Sequence, residues 1–444
     1  MVRLDGSLRS SYPNNSSAVL DVIQRRRGIS RAELATVTGL TQAAISKIVA
    51  DLIAIGLVVE EGQSVSAGGR PPVRLTINAE ATHVIGIDLA RSGIQGVLVD
   101  LDGQIHQRVA VGSRLAQAAD VTLERLAILT AELLSWAQAH DRQVAGIGIG
   151  APGPLNAEEG VILAPPNFPL WRNVPVRQIV EERFGLPVRL DNDANAQALA
   201  EGRFGAGQAF SSFIYIAVGT GVGAGLIIHG ALHRGAHHVE GELGHTTVEA
   251  AGPRCSCGNR GCLELYTSTP AVVATAVAAL HRGEHSLISE LAGGRLDQVT
   301  IYTIAQAARA GDQLALRILE QVAIYLGVGV VNAINLLGPE AVILGREDIQ
   351  ACGELLLEPI RTTVAERCFA MAAEHVQILP AQLGDDAPAI GAACLVLEDL
   401  FRAPEEILNR STARPVFGAA KSDWRMRADG GNGGEGRQRT LIAR

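Results

Sequence analysis

The sequence predicts an α/β chain: an N-terminal winged helix-turn-helix followed by a body of two α/β lobes. Three observations carry that prediction. Ser17 to Leu57 shows helical periodicity broken at two places, and two short strand patterns follow it. From His83 onward a strand-rich start gives way to helices, and this happens twice. At 444 residues the chain is also too long for one compact core, so two or three domains are expected.

In the head, Val19, Leu20 and Ile23 make the first amphipathic set. Ser30, with Glu33 three residues on, reads as a capping box opening a helix over 31–37. Ala35 is small where two helices cross, Gly39 makes the turn, and Thr41 caps a third helix that Gly56 ends. Ile45 and Ile48 are expected to anchor that helix by its inner face. This leaves Thr41, Gln42, Ala43, Ser46 and Lys47 on its outer, N-terminal end, where a recognition helix meets base edges. Gln42 suits adenine, and Lys47 suits guanine or phosphate. Strands are expected over 57–61 and 73–77. Between them Arg70 sits in Gly68-Gly69-Arg70-Pro71-Pro72, either as a wing tip reaching the groove or as a solvated linker arginine.

The body reads as strands over 84–90, 96–99 and 105–111, a helix over 123–139, and strands over 144–150 and 188–190. A second set follows: strands over 213–217 and 223–228, long helices across 301–336, a strand over 341–344, one helix to about residue 373, and a strand over 376–379. A helix over 387–401 closes the body. Asp191 or Asp193 is expected to cap a helix over 194–201.

Hydrophobic residues make up 47% and charged residues 19%, as in an ordinary α/β protein. No uninterrupted apolar run approaches the roughly 20 residues that span a bilayer, so no membrane insertion is expected. The polar N-terminus lacks the apolar stretch of a secretory signal, so a cytoplasmic location is expected. The net charge of −8 is uneven. Residues 1–76 hold nine basic and six acidic side chains, 411–444 hold seven and three, and the remainder is strongly acidic. A mildly basic head suits phosphates; the body does not.

Cys352, Cys368 and Cys394 are scattered through apolar helical text and read as core thiols. Cys255, Cys257 and Cys262 fall within eight residues, with glycines that permit a tight loop, and read as a metal site. Zinc favours four sulfur and imidazole ligands. His245 is one candidate for the fourth; His237 and His238 rival it on spacing alone.

Glu242-Leu243-Gly244-His245, followed by Cys-x-Cys-Gly-x-x-Gly-Cys-Leu-Glu264, resembles the signature of the ROK family (repressors, open reading frames, kinases). Asp191-Asn192-Asp193-Ala194-Asn195-Ala196 resembles the family's catalytic segment, and Gly219-Thr220-Gly221-Val222-Gly223-Ala224-Gly225 its second phosphate loop. Ala151-Pro152-Gly153-Pro154 and Pro166-Asn167-Phe168-Pro169-Leu170-Trp171 resemble its sugar-facing loops. The resemblance covers about residues 83–401 and, with the head, is to the family's sugar-responsive repressors. It implies a two-lobed actin-like, sugar-kinase-like (ribonuclease H-like) body. It further implies structural Zn2+ on His245, Cys255, Cys257 and Cys262, with sugar hydroxyls held by Asn167, Asn192, Asp193, Glu242, His245 and Glu264. His245 would then serve both, one ring nitrogen on the metal and the other toward a hydroxyl.

In the family's kinases Asp193 would be the general base, but here it is expected to be vestigial. Those kinases open with Asp-x-Gly-Gly-Thr-Lys, whereas this sequence has Asp88-Leu89-Ala90-Arg91-Ser92-Gly93. Side chains replace the glycines that let backbone approach phosphate. Leu344-Gly345-Arg346-Glu347 likewise lacks the family's second glycine. ATP and Mg2+ are therefore not expected as ligands. The expected partners are double-stranded operator DNA, a small sugar or sugar derivative, and further copies of the chain in a homodimer or homotetramer. Docking of a protein partner by the body is an alternative reading. The expected segments are a flexible 1–16, the winged head 17–78, a first lobe 79–204, a second lobe with the metal loop 205–386, a closing helix 387–408, and a disordered tail 409–444.

Overall fold

The computed structural model describes residues 14–63, 73–90, 93–112, 119–165, 170–236 and 239–404. Arg70, Arg91, Asn167, His237, His238 and the expected tail lie outside them. Helices α1 (Asn15–Arg25), α2 (Arg31–Thr38) and α3 (Gln42–Ala54) precede an antiparallel pair, β1 (Val58–Gln63) and β2 (Val73–Ile77). The capping box is formed: Ser30 Oγ accepts from Glu33 N, and the Glu33 carboxylate accepts from Ser30 N at 2.8 Å. A cap of this kind contributes about 1 kcal/mol. Gly39 turns the chain at φ 65°, and Thr41 Oγ1 accepts from Ala44 N at 3.2 Å. Val19, Ile23, Leu34, Ile45 and Val49 are fully buried and form the head's core. Ile48 is only half-buried. Three residues beyond Ile45, it sits about 60° round the helix, at the flank rather than the inner face.

Contacts divide the chain into two units; unit 2 spans Phe204–Ala387, and unit 1 holds the described residues on either side, head included. Unit 1 continues with β3 (His83–Ala90), β4 (Gly93–Val99), β5 (Ile105–Gly112), α4 (Ala119–Ala139), β6 (Val144–Ala151), a small hairpin β7 (Leu155–Asn156) and β8 (Val161–Ile162), α5 (Val176–Phe184), β9 (Val188–Asn192) and α6 (Asp193–Phe204). Its sheet runs β5-β4-β3-β6-β9, with β3, β4 and β5 antiparallel and β3, β6 and β9 parallel.

Unit 2 contains β10 (Phe213–Val218), β11 (Val222–Ile228), β12 (Ala231–Leu232), α7 (Glu264–Thr267), α8 (Thr269–His281), α9 (Leu287–Leu291), α10 (Ile301–Arg309), α11 (Gln313–Leu337), β13 (Ala341–Gly345), α12 (Glu347–Cys352), α13 (Glu354–Arg367), α14 (Ala370–Ala373) and β14 (Gln377–Pro380). The order β12-β11-β10-β13-β14 repeats that of unit 1, antiparallel hairpins first and parallel strands after. The one helix expected up to residue 373 is three, because Arg346 and Gly353 take positive φ and Cys368 is extended. Helix α11 is long and apolar enough to cross a membrane, but 61% of that window is buried within the unit. It also carries Arg317 and Glu320.

Helix α15 (Ala387–Arg402) returns to unit 1 and lies directly on its sheet. A Cβ on Gly86 of β3 would stand 1.9 Å from Ala389 O, and one on Gly148 of β6 would stand 1.7 Å from Ala392 O. Only glycine allows that approach. The same unit ties the head to the body. Arg203, at the end of α6, donates twice to Gln24 Oε1 of α1, at 2.7 and 2.9 Å, and stacks 4.0 Å from the centre of the Phe401 ring. Gln24 Nε2 donates in turn to Leu101 O, and Ser17 Oγ to Arg402 O at 2.8 Å.

Candidate functional site

On the head, Thr41, Gln42, Ala43, Ser46 and Lys47 are all exposed on the first two turns of α3. Their neighbours Ile45, Val49 and Leu52 are buried. The buried stripe turns this polar face outward, and the N-cap at Thr41 leaves further N–H groups of the first turn directed off the helix end.

In unit 2, Glu242 and His245 are positioned by glycines that press their loop onto β11. Gly241 has φ 77°, and its carbonyl accepts from Ala224 N at 2.8 Å. A Cβ on Gly244 would stand 2.2 Å from Val222 O. The cysteine loop then folds back: Thr247 bridges Cys262, Cys255 N donates to Asn259 O, and Gly258 and Gly261 turn at φ 97° and 62°.

This brings the four donors together. Ligand atoms of His245, Cys255, Cys257 and Cys262 lie within 4.8 Å of one another. His245 Nδ1 is 3.7 Å from Cys255 Sγ, and Cys257 Sγ is 3.7 Å from Cys262 Sγ. Tetrahedral zinc with Zn–S of about 2.3 Å requires S···S near 3.8 Å, close to the Cys257–Cys262 spacing, so the donor set fits such an ion. Burial pushes the Cys255 thiol up, but hydrogen bonds from Cys257, Cys262 and His245 outweigh it and leave the group at about 7. Burial and the neighbouring thiols push Cys262 up to about 12. Thiols crowded in this way resist ionising together unless a cation neutralises them. Asn259, not anticipated from sequence, donates to His245 O at 3.1 Å and to Cys262 Sγ at 3.4 Å. Its only sequence signal is its place inside the Cys-x-Cys-Gly-x-x-Gly-Cys run. With Nδ1 on the thiol side, His245 turns Nε2 toward Glu242 Oε2, 3.9 Å away.

Glu264 starts α7 behind the glycine turn of β10 and β11. Its Oε2 accepts from Val222 N at 2.9 Å, and a Cβ on Gly221 would come within 2.9 Å of that oxygen. Behind the same turn, Thr269 N donates to Gly219 O at 2.7 Å and Thr269 Oγ1 to Asp348 Oδ1 at 2.6 Å. Burial drives the Asp348 carboxyl up to about 7. Arg346 lies over Gly219 with φ 74°, ψ −172°.

In unit 1, Asn192 ends β9 and Asp193 begins α6, both half-buried. The capping bond expected of an aspartate is made by Asn192, whose Oδ1 accepts from Ala194 N at 2.8 Å. Asp191 Oδ1 instead accepts from Asn192 N and Asn195 Nδ2, because the strand runs two residues further than expected and turns Asp191 inward. Asp88 and Leu89 are buried at the end of β3, which pairs with β4 as far as Ala90 opposite Gly93. Of the scattered cysteines, Cys352 and Cys394 are buried as expected, while Cys368 is half-buried and donates to Asn335 Oδ1.

A winged-helix head joined to two α/β units with matching sheets, one bearing a His/Cys3 cluster, defines a regulator-type architecture on a sugar-kinase-like body. Residues 84–399 match the ROK family, and residues 12–67 match the MarR family. The chain belongs to the ROK family and carries a MarR-like winged-helix DNA-binding domain. It is 36% identical to the xylose repressor of Caldicellulosiruptor bescii over 392 residues, covering 88% of this chain and 97% of that protein. Its fold matches a ROK family transcriptional regulator, a homologue of the E. coli MLC protein, with TM-score 0.76 and 29% identity over 89% of this chain and 98% of that one. A ROK glucokinase from Streptomyces griseus, solved with glucose and AMPPNP, matches with TM-score 0.64 and 35% identity over 70% of this chain and 98% of the kinase.

Proposed function

We propose that the protein is a sugar-responsive transcriptional repressor of carbohydrate uptake or catabolism genes, with a structural zinc and no working ATP site. The observation that carries this reading is the exposed polar face of α3 in a chain matched along 88% of its length by a xylose repressor. Thr41, Gln42, Ala43, Ser46 and Lys47 read the major groove, and Arg70 in the wing reaches the adjacent backbone or minor groove. Zn2+ is held by His245, Cys255, Cys257 and Cys262, leaving no open position for a catalytic water. Sugar hydroxyls are taken by Asn167, Asn192, Asp193, Glu242, His245 and Glu264, whose carboxylates and amides match vicinal hydroxyls. Two-fold pairing of chains sets two heads on a pseudo-palindromic operator.

Helix α6 supplies a route from sugar to head. It begins at Asp193 and carries, ten residues on, Arg203, which grips Gln24 of α1. A helix moves as a rod, so a shift at its sugar-facing end of about 1 Å is felt at Gln24. The sugar's effect is bounded by its differential affinity for the two states, about 5- to 150-fold in DNA affinity for a coupling of 1–3 kcal/mol.

The test is operator binding with and without a sugar chosen by thermal-shift screening. Sugar should change operator affinity with no other protein present. Lys47→Ala should weaken operator binding about tenfold while leaving sugar affinity intact. Gln24→Ala should retain both affinities and lose the coupling between them. Binding that no sugar alters would sink the reading. The glycine turn Gly219–Gly221 and Asp193 favour a second reading, an ATP-dependent sugar kinase that retains a head.

A further inference from the structure

We propose that unit 1 holds a second metal site, built from Glu80, His83 and His106, that takes a divalent transition ion of the zinc class at the joint between head and body. The site is distinct from the cysteine loop, which lies in unit 2.

The joint is short. Strand β2 of the head ends at Ile77, a single 3-10 turn (Ala79–Ala81) follows, and β3 begins at His83. Leu101, in the turn between β4 and β5, donates its N–H to Ala79 O at 3.1 Å and so pins that turn to the β4–β5 loop. Glu80 comes from the joint, His83 from the first position of β3 and His106 from the start of β5, while Asp100 follows β4.

His83 makes the strongest case. It is 1% exposed, and neither ring nitrogen has a hydrogen-bond partner. A buried imidazole without partners costs free energy unless something else occupies its lone pair. Its Nε2 points toward Glu80 Oε2, at 3.8 Å, and the other oxygen of that carboxylate lies 3.8 Å from His106 Nε2. Ligand atoms of Glu80, His83 and His106 fall within 4.8 Å of one another. Asp100 Oδ2 is 3.2 Å from His106 Nε2, and its Oδ1 is already held by Asp102 N and Gln104 N, both at 2.9 Å.

Tetrahedral zinc with bonds of 2.0–2.1 Å needs ligand atoms about 3.3 Å apart. The pairs of Glu80 with the two imidazoles, both at 3.8 Å, need to close by about half an ångström, and Asp100 stands beside the set as a hydrogen-bond partner of His106. Two imidazoles and one carboxylate, with a fourth position left for water, are a borderline donor set, suited to zinc, cobalt or nickel rather than to calcium or magnesium. Arg142 pairs with Glu80 and acts as the outer group that orients a ligating carboxylate. Burial, followed by the charge of His106, lowers the affinity of His83 for protons. An ion here would tie the joint to both β3 and β5 and fix the angle at which the head leaves the body sheet.

The experiment is a Co2+ titration of the full-length, chelator-stripped protein, followed by absorption. Cobalt on the cysteine loop shows a thiolate charge-transfer band; cobalt on the second site shows ligand-field bands alone. The wild-type protein should bind one equivalent of the second kind. His106→Ala and Glu80→Gln, at the more exposed side of the cluster, should each lose it while retaining the thiolate band, which doubles as a check that the chain is folded. A wild-type protein whose bound cobalt all carries the thiolate band overturns the proposal. So does a non-thiolate equivalent that survives both substitutions.

Discussion

In unit 1 the first hairpin of the sheet, β3 and β4, pairs as far as Ala90 opposite Gly93. In unit 2 the corresponding hairpin, β10 and β11, pairs as far as Val218 opposite Val222 and turns through Gly219, Thr220 and Gly221. The two sheets share one strand order, so the hairpins occupy equivalent places in equivalent scaffolds. They differ in what the turn offers a ligand. The unit 2 turn presents bare backbone, and Val222 N reaches the Glu264 carboxylate. The unit 1 strand end buries Leu89 completely in its own core, and side chains follow where a kinase has glycine. Each turn is supported by its own sheet, so a fold of this kind can alter one turn without disturbing the other.

The largest consequence is catalytic. With Mg-ATP and a sugar panel the protein should release no ADP above background. Turnover on a sugar kinase's scale, about 1–100 per second, would break the comparison at once and favour the kinase reading.

Next in size is a pH effect behind the unit 2 turn. Asp348 is raised by burial to about 7, above an unfolded value near 3.8. The folded chain therefore holds a proton that the unfolded chain releases between about pH 4 and 7. The associated stability is fully present below pH 4 and is lost as pH rises through 7, on the order of 4 kcal/mol in all. Asp348→Asn keeps an acceptor for Thr269 and removes the titration. Urea unfolding at pH 5 and 9 should show the wild type losing stability relative to the variant. Equal losses in both would mean that Asp348 does not support Gly219 in its protonated form.

A smaller effect is expected at the turn itself. Gly221→Ala places a methyl group 2.9 Å from Glu264 Oε2 and must displace that carboxylate. Sugar affinity measured by calorimetry should fall about tenfold, or 1.4 kcal/mol. Unchanged affinity would separate Glu264 from the sugar and leave it a purely structural brace.

The chain's local signals made much of this legible. The capping box at Ser30, the turn at Gly39 and the cap at Thr41 are properties of neighbouring residues, and each forms as read. The strands of both sheets are apolar runs that periodicity finds. Helix α5 is hard to read from sequence: Val176, Ile179, Val180 and Phe184 carry a helical period, but over only nine residues. Helices α8 and α9 are no easier to read from sequence. In α8, alanine and valine fall on every face, so there is no stripe to detect. The cysteine loop was readable because its ligands lie within eighteen residues. Glu80, His83 and His106 are not, because a hairpin register brings them together and spacing along the chain does not. Gln24 and Arg203, 179 residues apart, were hidden for the same reason.

The smallest effect bears on Arg346, at the far side of the unit 2 turn. Its φ of 74° and ψ of −172° lie in a region populated almost only by glycine, and holding a side chain there costs about 1–3 kcal/mol. Arg346→Gly relieves that strain but adds backbone freedom to the unfolded chain, so a net gain of about 1 kcal/mol is expected in unfolding experiments. The variant also clears the side chain that lies over Gly219. If the variant binds ATP by calorimetry and the wild type does not, Arg346 is the side chain that bars a nucleotide. If neither binds ATP, the obstacle lies away from Arg346, and the buried Leu89 at the end of β3 is the next side chain to replace.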